Sequence, residues 1–195
     1  MLDEIGGPVE PRLRARFGRA GLGWPPARVH LIALKQEAKL ELWADGSGGR
    51  RLVHVYPILA ASGTVGPKLR QGDEQVPEGI YQVTWLHPNS DYHLSMKLDY
   101  PNQFDREKGR ADGRADLGGD IFIHGSDVSI GCLAMGNPAI EELFVLAAKV
   151  RPKSVRVIIT PWDLRLKAAP KTTPNGVDWL PELYRRLRAA LAPFS

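Results

Sequence analysis

The chain of 195 residues is long enough for one domain with a sizeable core, and 43% of its residues are hydrophobic. Its formal net charge of +4 is small and comes largely from arginines near the two ends. Because aromatic and basic residues do not alternate as they do in single-strand binders, we expect no nucleic-acid partner. No run of roughly 18 apolar residues occurs, so no transmembrane segment is predicted. The single cysteine, Cys132, excludes an internal disulfide.

Residues 1 to 27 are predicted to form an N-terminal extension with a short helix. Residues 1 to 10 contain glycine and proline and are expected to be loose, whereas Pro11 to Phe17 is predicted to be helical until Gly18. No apolar block of signal-peptide type lies between Met1 and Ala20. Either the protein stays in the cytoplasm or a leader was removed, and composition leaves both open.

Residues 28 to 162 are predicted to form a β-rich core. Val29–Leu34 and Lys39–Ala44 show the alternation of a hairpin. Further strands are predicted at Arg51–Ala60, Gly79–Leu86, Tyr92–Leu98, Ile121–Ile123 and Val155–Thr160. Two stretches lack apolar periodicity: residues 64 to 78 are predicted to be a loop beside a cleft, and residues 99 to 119 a flexible surface excursion or lid.

Two helices are predicted in the second half of the chain. Asn137-Pro138 has the character of an N-cap followed by a proline in the first helical position, and Pro152 ends this helix. Residues 163 to 195 are predicted to be a linker and a C-terminal helix, Asp178–Leu191, packed on the domain. The fold class expected is therefore α+β, with a mixed-sheet core or sandwich, one helix beside the Cys132 loop and helical termini.

The segment from Asp120 to Met135 carries the candidate chemistry. His124 ends a short apolar run, and Cys132 follows eight residues later. A thiol reacts as its thiolate, which a nearby imidazole produces by taking the proton. Gly131 permits backbone angles that bring its N–H and that of Cys132 together as an oxyanion hole. The pattern predicts a cysteine acyl-transfer site; the alternative is a packed cysteine beside a structural histidine.

No metal centre is predicted, because the other histidines show no metal-ligand spacing: His30, His54, His87 and His93. From the residues alone, the group that orients the His124 ring is open between Asp127 and Asp120, although an aspartate in such a loop is more often a turn former. Ser129 is expected to hydrogen-bond within the loop.

The run His124-Gly125, followed by Ser129-Ile130-Gly131-Cys132-Leu133-Ala134-Met135, resembles the signature of L,D-transpeptidase catalytic domains, the YkuD-like family. Ile130 stands where many members carry a second histidine, and this Ser-Ile-Gly-Cys form is similar to the YafK-type branch. Short matches in the same order between residues 28 and 162 agree with that branch: Ser62-Gly63, Gly66-Pro67-Lys68, Gly72-Asp73, Pro77–Tyr81, Pro88-Asn89-Ser90, Tyr92-His93-Leu94 and Tyr100-Pro101-Asn102.

This resemblance implies an enzyme without a cofactor that acts on peptidoglycan stem peptides. Cys132 would attack at the L-centre of diaminopimelate to give a thioester, with His124 as base and then acid. The backbone carbonyl of Gly125 would orient the ring. The acyl group passes to an amine (transpeptidation) or to water (hydrolysis), and the YafK-type branch is associated with release of a peptidoglycan-linked lipoprotein. Because Ile130 stands in place of the usual second histidine, the position beside the nucleophile has no polar group.

The resemblance also implies a ligand that carries several carboxylates. Candidate substrate-binding residues are Lys68, Arg70 and Lys97, with His93 on the same strand face as Lys97, although plain surface charge is the commoner role. We expect a monomer in the periplasm or cell envelope. The alternatives are a non-catalytic peptidoglycan-binding module of the same fold and a cytoplasmic cysteine hydrolase that acts on another amide.

Overall fold

The computed structural model describes residues 2–174 and 176–194. Met1, Asn175 and Ser195 belong to the predicted terminal segments and linker, and they lie outside the described residues. The described chain folds into four α-helices and one mixed nine-stranded sheet, which confirms the predicted α+β class.

The helices are α1 (Leu2–Arg19), α2 (Gln103–Ala111), α3 (Asn137–Val150) and α4 (Leu180–Leu191). The strands are β1 (Val29–Leu34), β2 (Lys39–Gly46), β3 (Gly49–Pro57), β4 (Ala60–Ala61), β5 (Gly79–Ser90), β6 (His93–Leu98), β7 (Phe122–His124), β8 (Leu133–Ala134) and β9 (Val155–Thr160). The sheet order is β3-β2-β1-β9-β5-β6-β7-β8-β4. The β1–β9 and β7–β8 pairs are parallel, and the other strand pairs are antiparallel.

The sheet separates two apolar layers. Val29, Leu31 and Ala33 of β1 belong to the core that contains α1 and α3. Ile32 and Leu34 belong to the core that contains α4 on the opposite face. Successive side chains of a strand point to opposite faces, and both faces of β1 are covered, so β1 is buried along its whole length and is apolar except for His30.

Helix α1 begins at Leu2, so the prediction that residues 2–10 are loose is wrong. Val9, Leu13 and Phe17 lie on one side of α1 and are completely buried against the sheet. This burial outweighs the low helix propensity of the glycines and prolines in the segment, because tertiary packing commonly overrides local propensity.

The segment from 99 to 119 contains α2, so a flexible excursion is the wrong description of its central part. The Asn102 side chain accepts the N–H of Asp105 at 3.1 Å, and the Asp105 carboxylate accepts the N–H of Asn102 at 2.9 Å. This reciprocal capping box satisfies two donors at the helix start. Phe104 is buried and meets the Trp179 ring edge-to-face, which fixes α2 against the residues that lead into α4.

The start of α3 differs from the prediction by one residue. Gly136 is the N-cap, and Asn137 and Pro138 are the first two helical residues. The side chain of Asn137 instead accepts the N–H of Ser126 at 3.0 Å. The first turn of α3 is thereby attached to the loop that follows His124.

Candidate active site

His124 is the last residue of β7 and is only 3% exposed. Its backbone is paired on both sides, with Ser95 of β6 and with Ala134 of β8. The ring atom Nδ1 lies 2.6 Å from the carbonyl oxygen of Gly125, and the Tyr92 ring packs against the imidazole at a centroid distance of 4.7 Å. Because a carbonyl only accepts, Nδ1 carries the hydrogen and Nε2 presents a lone pair.

The two carboxylates considered from sequence do not contact this ring. The Asp120 carboxylate binds the ammonium of Lys97 at 2.7 Å and is largely exposed. Asp127 is also exposed, and its carboxylate accepts the Ser126 hydroxyl at 3.4 Å. The imidazole therefore faces a backbone carbonyl and has no acidic partner among these groups.

Gly125 has close neighbours that leave no room for a side chain. A Cβ at this position would lie 2.6 Å from the carbonyl oxygen of Tyr92 and 2.7 Å from Oδ1 of Asn137. Both separations are far shorter than van der Waals contact. The approach of the β5–β6 connection to the His124 loop therefore requires glycine here.

Cys132 lies directly before β8 and is partly exposed. Its Sγ accepts the N–H of Phe122 at 3.4 Å, and its thiol donates to the carbonyl oxygen of Asp120 at 3.6 Å. Among the described residues, both hydrogen-bond partners of the sulfur are backbone groups, and neither belongs to His124.

The β7–β8 pairing nevertheless brings Cys132 next to the strand that ends at His124. The parallel pair aligns Ile123 with Leu133 and His124 with Ala134. If the same pairing is extended back by one residue, Cys132 lies beside Phe122. The hydrogen bond from the Phe122 N–H to Sγ agrees with this position, two residues before His124 along β7.

The protonation states of these two groups follow from their burial. Burial lowers the pKa of His124, and the hydrogen bond to Gly125 opposes that change only in part. Burial also raises the pKa of the Cys132 thiol, against the effect of the Phe122 N–H. At neutral pH, the resting pair is therefore a neutral thiol and a neutral imidazole rather than a thiolate–imidazolium pair.

Two serines hold the loop that leads to Cys132. The Ser129 hydroxyl donates to the carbonyl of Cys132 at 2.7 Å, and its oxygen accepts the N–H of Ser62 at 3.2 Å. The Ser62 hydroxyl donates to the carbonyl of Glu74 at 2.6 Å and accepts the N–H of Gly131, also at 2.6 Å. Because each hydroxyl has a single hydrogen, both are used in these bonds.

The contact with Ser62 corrects the predicted role of Gly131. Gly131 has φ of +93°, a left-handed conformation that favours glycine. Its N–H points to Ser62, however, so it is not free to bind an oxyanion. Sequence reasoning gave Ser62 no role, because it precedes Ser129 by 67 residues and no local spacing relates them.

Lys68 is buried, which contradicts its predicted role in substrate binding. Its ammonium forms an ion pair with Asp73 and donates to the carbonyl of Arg70 at 2.8 Å. Asp73 also accepts the N–H groups of Leu69 and Arg70. Lys68 thus organises its own loop, whereas Arg70 is exposed.

His93 and Lys97, like Arg70, are predicted substrate-binding residues that reach the surface. Nε2 of His93 lies 2.9 Å from the Glu141 carboxylate on α3. Lys97 is held by Asp120, as described above. Any substrate carboxylate that binds to them must compete with these partners.

Three apolar side chains near the pair are exposed. Ile130, two residues before Cys132, has 74% of its surface exposed, Val128 has 53%, and Tyr92 has 43%. The approach to the sulfur is therefore bordered by apolar groups. Within the described ranges, no group of three or more His, Cys, Asp or Glu residues is placed to hold a metal ion.

The mixed sheet, with a histidine that ends one strand and a cysteine directly before the adjacent strand, agrees with the comparison with known families. Residues 28–159 match the family model of the L,D-transpeptidase catalytic domain, YkuD, and the chain belongs to this family. The resemblance read from the sequence is thus confirmed.

Among individual proteins, the chain is similar to YafK of Escherichia coli, provisionally named an L,D-transpeptidase. The K12 and O157:H7 proteins are each 39% identical to it over 141 residues, which cover 70% of this chain and 55% of the relative. The chain therefore spans about half the length of the curated relatives it matches.

Two solved structures share the fold. A variant of the helical cell shape determining protein Pgp2 from Campylobacter jejuni superposes with a TM-score of 0.56 at 25% identity, covering 70% of this chain and 48% of that one. Bd1075 from Bdellovibrio bacteriovorus superposes with a TM-score of 0.52 at 20% identity, covering 86% and 55% respectively. The second similarity supports the fold alone.

Proposed function

We propose that this chain is the catalytic domain of a cysteine acyltransferase or hydrolase that acts on peptidoglycan stem peptides. The observation that carries the proposal is the position of Cys132 directly before β8, which pairs with the strand β7 that ends at His124, in a chain of the L,D-transpeptidase family. The carbonyl of Gly125 holds the ring so that Nε2 is available as a base.

The proposed reaction proceeds through a thioester. Sγ of Cys132 attacks the carbonyl carbon between the L-centre of diaminopimelate and D-alanine, while Nε2 of His124 takes the thiol proton. The C–N bond breaks, and the imidazolium gives its proton to the leaving amine. Water or an acceptor amine then attacks the thioester, His124 takes its proton, and the sulfur recovers a hydrogen as the product leaves.

Because the resting thiol donates to the carbonyl of Asp120, the first step requires a rotation about the Cα–Cβ bond of Cys132. Catalytic hydrogen bonds are often long or absent in a free enzyme and form only when the substrate binds. Because the N–H of Gly131 donates to Ser62, we propose that the N–H of Cys132 itself binds the oxyanion of the intermediate.

For the second half-reaction, we propose hydrolysis, with release of a peptidoglycan-linked lipoprotein as the biological form. The similarity to YafK supports this branch of the family. We propose a cell-envelope location on the same basis; within the described ranges, no helix has the length and apolarity to cross a membrane.

One observation favours the alternative of a non-catalytic peptidoglycan-binding module. Burial raises the pKa of Cys132, and the sulfur's partners are backbone groups rather than the imidazole. A packed and unreactive thiol would have these properties.

Digestion of purified muropeptides, with and without a bound lipoprotein peptide, distinguishes the enzyme from the non-catalytic binding module. We expect the wild-type chain to release the peptide, and Cys132→Ala to release none while still binding the muropeptide. Binding by both proteins with turnover by neither would contradict the enzymatic proposal. Turnover that the substitution leaves unchanged would contradict the assignment of the nucleophile.

A further inference from the structure

A pocket of about 480 Å³ opens on the α4 side of the sheet, away from the candidate active site, and neither His124 nor Cys132 lines it. The floor of the pocket consists of residues on three neighbouring strands. His30 of β1 aligns with Arg156 of β9, and Arg156 aligns with Gln82 of β5. These three residues form one row across adjacent strands. Asp45 of β2 and its paired residue Arg50 of β3 supply one wall of the pocket.

The pocket is positively charged. Its lining carries two carboxylates, those of Asp45 and Asp99, and has a formal excess of two positive charges. Asp99 already accepts the N–H of Gln82 at 2.9 Å. The cationic side chains in the lining are Arg28, Arg50, Lys153 and Arg156.

Arg156 lacks an acidic partner among the described residues, although it is partly buried. The Asp45 carboxylate on the neighbouring β2–β3 hairpin is already bound to other groups: Nε2 of His30 lies 3.0 Å from it and Nε of Arg50 lies 3.1 Å from it. Burial and the nearby charge of Arg50 lower the pKa of Arg156. Partly buried guanidinium groups are usually paired, so this one is available to an anion.

His30 gives a second, independent indication of a ligand. It is 4% exposed, and its Nδ1 has no hydrogen-bond partner among the residues that the structure describes. Because Nε2 donates to the Asp45 carboxylate, Nδ1 of the neutral ring carries a lone pair. An unpaired buried acceptor costs about 1–3 kcal/mol. Nδ1 is closed to solvent in this structure, so a ligand donor reaches it only with a small movement of the ring, and the bond formed would offset that cost.

We propose that this pocket binds a phosphate group that retains a hydroxyl, as hydrogen phosphate does. Its two negative charges match the excess positive charge of the lining. Its oxygens suit the forked donors of Arg156 and Arg28, and its P–OH can donate to Nδ1 of His30. A carboxylate ligand is acceptor-only and leaves that nitrogen unpaired.

Titration with inorganic phosphate at constant ionic strength tests the proposal, with the amide NMR signals of Arg156 and Gln82 as the readout. The protein is the full chain with Cys132→Ala, so the result does not depend on turnover. We expect saturable shifts, weakened about tenfold or more by Arg156→Gln and by the exposed Arg28→Gln. Arg110→Gln, an equal charge change on the exposed surface of α2, is the control and leaves binding unchanged.

Two further titrations define the ligand. Methyl phosphate tests the proposed contact with His30, because its dianion has no P–OH. We expect it to bind more weakly than inorganic phosphate, and binding at least as tight would overturn the assignment to a phosphate that retains a hydroxyl. Succinate that binds as tightly as phosphate would overturn the assignment to phosphate. Shifts that never saturate, or equal affinity in Arg156→Gln and the parent protein, would overturn the site itself.

Discussion

At the scale of the residue, the neutral state of the His124–Cys132 pair governs how the site reacts. Burial raises the pKa of the thiol and lowers the pKa of the imidazole, so the two effects oppose a resting ion pair. The attack on a substrate and the transfer of the thiol proton must then occur together.

This state predicts the pH dependence of alkylation. The thiolate is the form that reacts with iodoacetamide, and a raised pKa keeps its fraction small at neutral pH. We expect the alkylation rate of Cys132 to keep rising with pH beyond the range where an ordinary thiol titrates. A rate that is already at its plateau at neutral pH would indicate a preformed thiolate–imidazolium pair and contradict this description.

Substitution at the proposed reactive pair should separate chemistry from structure. We expect Cys132→Ala to abolish muropeptide turnover and His124→Ala to lower kcat by about 10²- to 10⁴-fold, because proton transfer is lost. Ser129→Ala removes two neutral hydrogen bonds within the loop region and should lower turnover only several-fold, about 1 kcal/mol. Circular dichroism checks that each variant is folded. A milder loss in His124→Ala than in Ser129→Ala would refute the assignment of the base.

Ser62 should affect activity although it lies outside the Cys132 segment. Ser62→Ala leaves the N–H of Gly131 and the carbonyl of Glu74 without their partner, which loosens the loop before the nucleophile. We expect a loss of about tenfold in kcat. Ser47→Ala in the exposed β2–β3 turn is the matched control. Equal activity in the two variants would show that Ser62 does not position the loop.

Local sequence patterns identify the pair but not the contacts that arrange it. An apolar run before His124 and a glycine before Cys132 already mark a strand end and a special turn. The partner of Gly131 comes from a distant part of the chain, and the burial of Lys68 depends on how its loop folds around Asp73. Such contacts have no signature in local spacing.

At the scale of the element, a buried ion pair organises the loop between β4 and β5. The ammonium of Lys35 lies 3.1 Å from the Glu78 carboxylate and donates to the carbonyl of Thr64 at 2.8 Å. Glu78 also accepts the N–H of Gly66 at 2.8 Å and the hydroxyl of Tyr184 on α4 at 2.7 Å. The cluster thereby joins the β1–β2 turn, this loop and the C-terminal helix.

Removal of Glu78 should therefore be costly. Glu78→Ala leaves Lys35 and the hydroxyl of Tyr184 buried without a partner, and we expect a loss of about 3–5 kcal/mol in the free energy of unfolding. Urea denaturation measures it. Glu107→Ala on the exposed side of α2 should change stability by less than about 0.5 kcal/mol. A loss below about 1 kcal/mol for Glu78→Ala would contradict the structural role of the cluster.

The elements differ in how well periodicity predicts them. The sequence predicts β1 and β9 with their observed bounds, because a run that is mostly β-branched and apolar, with one ionisable residue in each case, is typical of a strand buried on both faces. Helices α1 and α2 were misjudged because their stability comes from packing and capping. Glycine, proline and charged residues give such segments a loop-like composition.

At the scale of the whole molecule, the N-terminal helix is part of the folded core. Helix α1 packs on α3, and Phe17 is completely buried with its ring 5.2 Å from that of Trp24, edge-to-face. The chain up to residue 27 was predicted to be an extension of the domain. Its burial argues that the N-terminal residues unfold together with the sheet.

Phe17→Ala tests this cooperation. We expect a loss of about 3–5 kcal/mol in the free energy of unfolding, from lost burial and the cavity left behind. The unfolding transition of the sheet, followed by near-ultraviolet circular dichroism, should shift with it. A sheet transition that stays at the wild-type midpoint would show that α1 is a separable appendage.

The most direct test of the central claim, that His124 and Cys132 act as one reactive unit, is intact-mass spectrometry after incubation with a carbapenem, whose strained carbonyl accepts an activated sulfur. We expect wild-type protein to gain one carbapenem mass, Cys132→Ala to gain none and His124→Ala to gain it far more slowly. An unmodified wild-type protein whose Cys132 is still labelled by iodoacetamide would contradict the claim, because the thiol would be accessible without being activated.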